Sequence, residues 1–145
     1  MEVFLFYIGG AIYTLIELLW DGSTHWSMFV ISGICFVIMG LLNEYKFSWK
    51  GSLFVQSLVS AIIITIFEFF TGCIVNIRLG LNVWDYSNLP FNLLGQICLY
   101  FSLIWIPLST FGIVLDDWIR YLNYLTFRRF FPNMKKRERP KYRLI

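Results

Sequence analysis

Leu53 to Val75 reads LFVQSLVSAIIITIFEFFTGCIV, and the length of that apolar run decides the fold. A helix crosses the hydrocarbon part of a bilayer in roughly 20 residues, so this run is long enough to span. One residue deep in it is charged, Glu68. The run from Val3 to Trp20, VFLFYIGGAIYTLIELLW, repeats the pattern with Glu17. A charged side chain at such depth costs about 2.5–3.5 kcal/mol on insertion scales, so it faces protein rather than lipid and often has a task there.

Composition agrees with a membrane protein. The chain is 58% hydrophobic, 20% aromatic and only 14% charged. Soluble domains carry about 25% charged residues, so this chain lacks the polar side chains to cover a water-facing surface. Its 145 residues suffice for one small helical bundle. The first apolar run starts without a basic leader and ends at no small-residue cleavage site, so the first span is expected to be retained. Cys35, Cys73 and Cys98 fall in apolar spans without metal-ligand spacing and read as packing residues. Gly33 with Gly40, and Ser57 with Ala61, place small residues where helices can approach closely.

Two further apolar runs, Trp26 to Leu42 and Phe91 to Leu115, bring the expected spans to four, with a kink expected at Pro107. Basic residues concentrate beside cytoplasmic helix ends. Here Arg120, Arg128, Arg129, Lys135, Lys136, Arg137, Arg139, Lys141 and Arg143 follow the fourth run, Lys46 and Lys50 lie between the second and third, and Arg78 alone falls on the other side. Both termini are therefore expected in the cytoplasm, in a multi-pass protein of the cell membrane. The stretch DDWIRYLNYLTFRRFF places Trp118, Leu122, Leu125 and Phe130 roughly on one helical face. It reads as an amphipathic helix on the cytoplasmic face of the membrane. The expected fold is thus all-α: an integral membrane four-helix bundle over residues 1–115, the amphipathic helix over 116–131, and a basic tail over 132–145. That tail is drawn to anionic lipid, and the topology explains it without a nucleic-acid role. Trp20, Trp26 and Trp84 read as interface anchors.

With that orientation, the polar residues gather in the outer half of the bilayer. Glu17 has Asp21 one turn above it and His25 in the next loop; Glu68 has Asn76 two turns above it. Asp85 and Tyr86 come from the long outer loop, while Asn92 and Gln96, four apart, are expected on one face at the start of the fourth helix. Such a cluster suits binding of a proton, a cation or a small solute, or acid–base chemistry. Equally, the carboxylates could pin helices by bonding Asn92, Gln96 or Arg78. No metal site is expected, since the one histidine has no helical partner. No GxxxxGK[ST] run and no nucleophile elbow occurs, and no cofactor is implied.

The run LGLNVWDYSNLPFNLLGQICL from Leu79, with WDGSTHWSMF, LLNEY, IFEFFTGCIVN and LDDW, resembles the family called Putative ABC-transporter type IV. These are small four-span bacterial membrane proteins, grouped with the vertebrate transmembrane protein 229 proteins. The resemblance covers roughly residues 8 to 120 and implies a subunit whose ATPase is another chain. A weaker likeness, to lipoprotein signal peptidases, rests on GLNVWDYSNLPFNLLGQ. Asp85 matches their first catalytic aspartate, but the second falls at Gly95 or Gln96, so the dyad is absent.

The reading favoured by the sequence is a transporter or permease-like subunit, more a binding protein than an enzyme. Its pocket is Glu17, Asp21, His25, Glu68, Asn76, Asp85, Tyr86, Asn92 and Gln96. The alternatives are a membrane-embedded enzyme acting on a lipid or lipid-linked substrate, with Glu68 and Asp85 as acid and base, and a structural or regulatory subunit. Expected partners are the lipid bilayer and either further copies of the chain or a membrane or ATPase subunit.

Overall fold

A computed structural model describes residues 1–44 and 52–131, together with 137, 140 and 141. Lys46 and Lys50, the Tyr45 of LLNEY, and Lys135, Lys136, Arg139 and Arg143 of the tail lie outside the described residues. Four α-helices carry the fold: α1 (Glu2–Asp21), α2 (Trp26–Glu44), α3 (Leu53–Gly72) and α4 (Leu99–Arg128). A short antiparallel hairpin, β1 (Asn92–Leu93) and β2 (Ile97–Cys98), precedes α4. Among the described residues, three stretches are long and apolar enough to cross a membrane: α1, α3 with its continuation to Arg78, and α4. The apolar part of α2, Trp26–Leu42, is shorter.

Local chemistry sets the helix ends. Gly22 closes α1 in the left-handed conformation (φ 72°), its N–H bonding the Leu18 carbonyl, which glycine adopts without steric cost. At the start of α2, the His25 ring accepts the Ser27 backbone N–H at 3.3 Å. The Ser52 hydroxyl caps α3 by accepting from the Val55 N–H, also at 3.3 Å. Beyond Gly72 the helix widens into a π-helical turn, Cys73–Arg78, a rare geometry frequent at functional sites.

The helices pack as two pairs through small residues. Along α1–α2, Phe29 lies against Gly10, Phe36 against Gly9 and Phe6 against Gly33. Along α3–α4, Ser57, Ser60, Ala61 and Ser109 are buried, and the Thr110 hydroxyl donates to that of Ser57 at 2.7 Å. The pairs join through α2, where Gly40 meets the Asp116 carboxyl and Gly112 meets Met39. Close approach at small residues is how helices associate without a hydrophobic driving force. A core of Leu5, Phe36, Met39, Leu53 and Ile113 fills the end of the bundle near Glu2. Across it, Arg120 binds both Glu2 oxygens at 2.8 Å and Asp116 at 2.7 Å, tying α1 to α4.

Two expectations need correction. The fourth helix begins at Leu99 rather than Phe91, because Gly95 (φ 68°) and positive-φ Phe91 and Leu94 turn the backbone into the hairpin. The stretch expected as a separate interfacial helix is instead the unbroken end of α4 up to Arg128, with Asp116, Asp117, Arg120 and Tyr124 buried on its inner face. Pro107 lies inside α4 without ending it.

Candidate functional site

Glu68 is the centre of the site. It sits on α3 and is 5% exposed. Its Oε2 accepts the indole N–H of Trp105 from α4 at 2.9 Å, and its Oε1 accepts the Tyr86 hydroxyl at 3.1 Å. Both donors are neutral. The ion pairs of Arg120 with Glu2 and Asp116 lie elsewhere, and the partners of Glu68 are these two donors. Removing a carboxylate from water costs several kcal/mol, and neutral hydrogen bonds offset only part of that.

A folded loop covers this carboxyl. Asn76, in the π-helical turn, donates to the Trp84 carbonyl at 3.0 Å and to the Gln96 side chain at 2.8 Å, and accepts from the Val83 N–H at 2.7 Å. Trp84 in turn donates its indole N–H to the Gln96 carbonyl at 2.9 Å. Gly72 makes this seating possible, since a Cβ there would meet Gln96 Oε1 at 2.5 Å. The loop brings Tyr86 over Glu68 and stacks its ring on Phe101, centroids 4.7 Å apart. Burial, and next the Glu68 charge, hold the Tyr86 hydroxyl above the usual phenol range, so it remains a donor.

Below the carboxyl lies a cavity of about 90 Å³ lined by all four helices, among them Ile12 and Tyr13 of α1, Cys35 of α2, Glu68 of α3, and Trp105 and Leu108 of α4. Nearly all of its wall is apolar.

The residues expected to form one pocket fall into several groups. Glu68 and Tyr86 bond directly, with Asn76 and Gln96 buried beside them. Glu17 is partly buried near the far end of α1 and accepts from the Thr24 hydroxyl, while Asp21 takes the Ser23 hydroxyl at 3.3 Å. His25 pairs with Ser27 and caps α2. Tyr13 lies within electrostatic reach of both glutamates. Asp85 is exposed, and the Ser87 hydroxyl and N–H hold its carboxyl below the usual aspartate range. Glu68, by contrast, is buried. Asn92 is not on a helix with Gln96; it holds the hairpin by donating to the Leu89 carbonyl at 2.8 Å and accepting from Gly95 N–H at 3.1 Å. Glu68 bonds none of Asn92, Gln96 or Arg78; it uses Trp105, which sequence reasoning missed because an indole in an apolar run reads as packing. Trp84 is likewise held by the loop, whereas Trp20 and Trp26 are 85% and 70% exposed. Among the described residues no three of His, Cys, Asp and Glu converge as a metal set.

Comparison with known proteins finds a match between residues 21–131 and the family described as Putative ABC-transporter type IV. The match begins past Glu17 and includes Glu68, the folded loop and all of α4. No curated protein and no solved structure matches the chain.

Proposed function

The chain belongs to the Putative ABC-transporter type IV family, and from that premise we propose that it is a small transporter or permease-type subunit that exchanges a proton or a cationic or polar solute at Glu68. One observation carries the reading: a buried carboxylate held by two neutral donors, without a resident counter-charge among the described residues. Four crossings with both termini in the cytoplasm fit the bias of eleven basic residues to one. That orientation puts Glu68 and the folded loop in the outer half of the bilayer, and the end of α4 at the inner leaflet beside anionic lipid. An ATP-driven cycle would need an ATPase chain, since this sequence holds no phosphate-binding GxxxxGK[ST] run.

A second reading has its own support. The Trp105–Glu68 bond joins α3 to α4 and would also suit a carboxylate that only pins helices. Purification in mild detergent followed by native mass spectrometry separates the two. Wild type is expected to carry a bound small molecule or lipid that Glu68→Gln loses while staying folded. An empty wild type, with a variant that unfolds, would leave helix pinning as the role.

A further inference from the structure

The cavity beside Glu68 is shaped for more than a proton. The Ser32 hydroxyl is occupied by the Met28 carbonyl at 2.6 Å, and the Trp84 and Trp105 N–H groups by Gln96 and Glu68. The Glu68 carboxyl is therefore the charged group facing an otherwise apolar space. Tyr13, Trp84 and Trp105 are among the aromatic side chains that line the same cavity, and Tyr13 and Trp105 are 6.1 Å apart between ring centroids. Aromatic faces attract organic ammonium groups, and the attraction grows when water is excluded. A carboxylate among aromatic rings is a receptor for such a head group.

The mouth of the cavity indicates where the ligand comes from. Ile16 of α1 and Phe111 of α4 both line it and are 41% and 55% exposed. α1 packs along α2 rather than α4; it reaches α4 by the Glu2–Arg120 bridge and the Tyr13–Trp105 contact. The gap between α1 and α4 thus opens sideways onto apolar helix surface, which in a membrane faces lipid. At roughly 30 Å³ per water-sized group, the 90 Å³ interior takes about three such groups, so a longer hydrocarbon chain extends out through the mouth.

We propose that this cavity binds a lipophilic organic cation, its ammonium at Glu68 among Tyr13, Trp84 and Trp105 and its hydrocarbon part below, entering from the lipid between α1 and α4. The proposal rests on Glu68 being an exchange site and names what it exchanges.

The test is calorimetric titration of the full chain in maltoside micelles with octylammonium and with 1-octanol, which share the chain and differ in charge. Wild type is expected to bind octylammonium at least about tenfold more tightly, with the preference abolished in Glu68→Gln. Tyr13→Leu serves if that variant fails to fold: it should weaken octylammonium about threefold or more and leave 1-octanol unchanged. Equal affinities in wild type, no binding of either probe, or a preference that survives both substitutions would overturn the proposal. If octylammonium fails while Glu68→Gln still sheds a co-purified molecule, the exchange site stands and only the ligand class is wrong. If Glu68→Gln also changes nothing in the mass spectrum, both readings fall.

Discussion

Glu68 and Trp105 illustrate what a single residue discloses before folding. A carboxylate inside an apolar run is conspicuous, because its cost in lipid demands an explanation. Trp105 is as important to the site, yet its apolar ring hides it among Leu and Ile; only the α3–α4 packing brings its N–H to 2.9 Å from Glu68. Trp105→Phe keeps the ring and removes that donor. It is expected to lower stability by about 1.5–3 kcal/mol, the range for a hydrogen bond to a charged group, measurable as a drop in thermal unfolding temperature in detergent. Gly40 is a second such position, since any Cβ would press on the Asp116 carboxyl. Gly40→Ala should cost about 1–3 kcal/mol by overpacking, whereas Gly80→Ala, where a Cβ meets open space, bears only the strain of its φ of 65°. Equal losses at the two glycines would contradict the packing described for α2 and α4.

At the level of elements, the helices were legible because each apolar run is bounded by breaking residues. The loop from Leu79 to Cys98 was not. Asn92 and Gln96 have helical spacing, and Pro90 and Gly95 were the available signs that the chain turns there instead. The reach of α4 past Leu115 was hidden for the opposite reason: hydrophobicity ends there but helix formation does not. Asn76 holds the loop by three hydrogen bonds from the π-helical turn. Asn76→Ala is expected to free the loop, seen as faster amide hydrogen exchange at Val83, while α1 and α2 keep their protection. The Asp85–Ser87 turn should respond to acid. Its carboxyl titrates below the unfolded aspartate value, so its stabilising bonds are present above that value and lost as pH falls through the lower, folded one. Exchange at the Ser87 amide should accelerate below about pH 4, and no change across that window would contradict the assignment.

For the molecule as a whole, four helices line an apolar cavity that includes the Glu68 carboxyl, and Arg120 ties α1 to α4 near Glu2. Asp116 is 0% exposed and Glu2 is 44% exposed, so the two arms of the Arg120 pair are not equivalent. Arg120→Ala would leave Asp116 buried without its counter-charge and is expected to cost about 3–5 kcal/mol. Glu2→Gln, at the wetter arm, should cost about 1 kcal/mol or less. Denaturant unfolding of both variants checks the ranking. The bundle class was readable from composition and run lengths, but the site's division into a buried Glu68 group and separate Glu17 and Asp85 groups depends on loop seating, which no periodicity records. The most direct test of the exchange site is reaction with dicyclohexylcarbodiimide, an apolar reagent that adds to carboxyl groups reachable from lipid. Peptide mapping should find the adduct on Glu68, absent in Glu68→Gln and suppressed by prior addition of octylammonium. A wild-type Glu68 that stays unmodified under conditions that label Glu17 would contradict the account, because a carboxyl closed to lipid-borne reagents cannot exchange a ligand by that route.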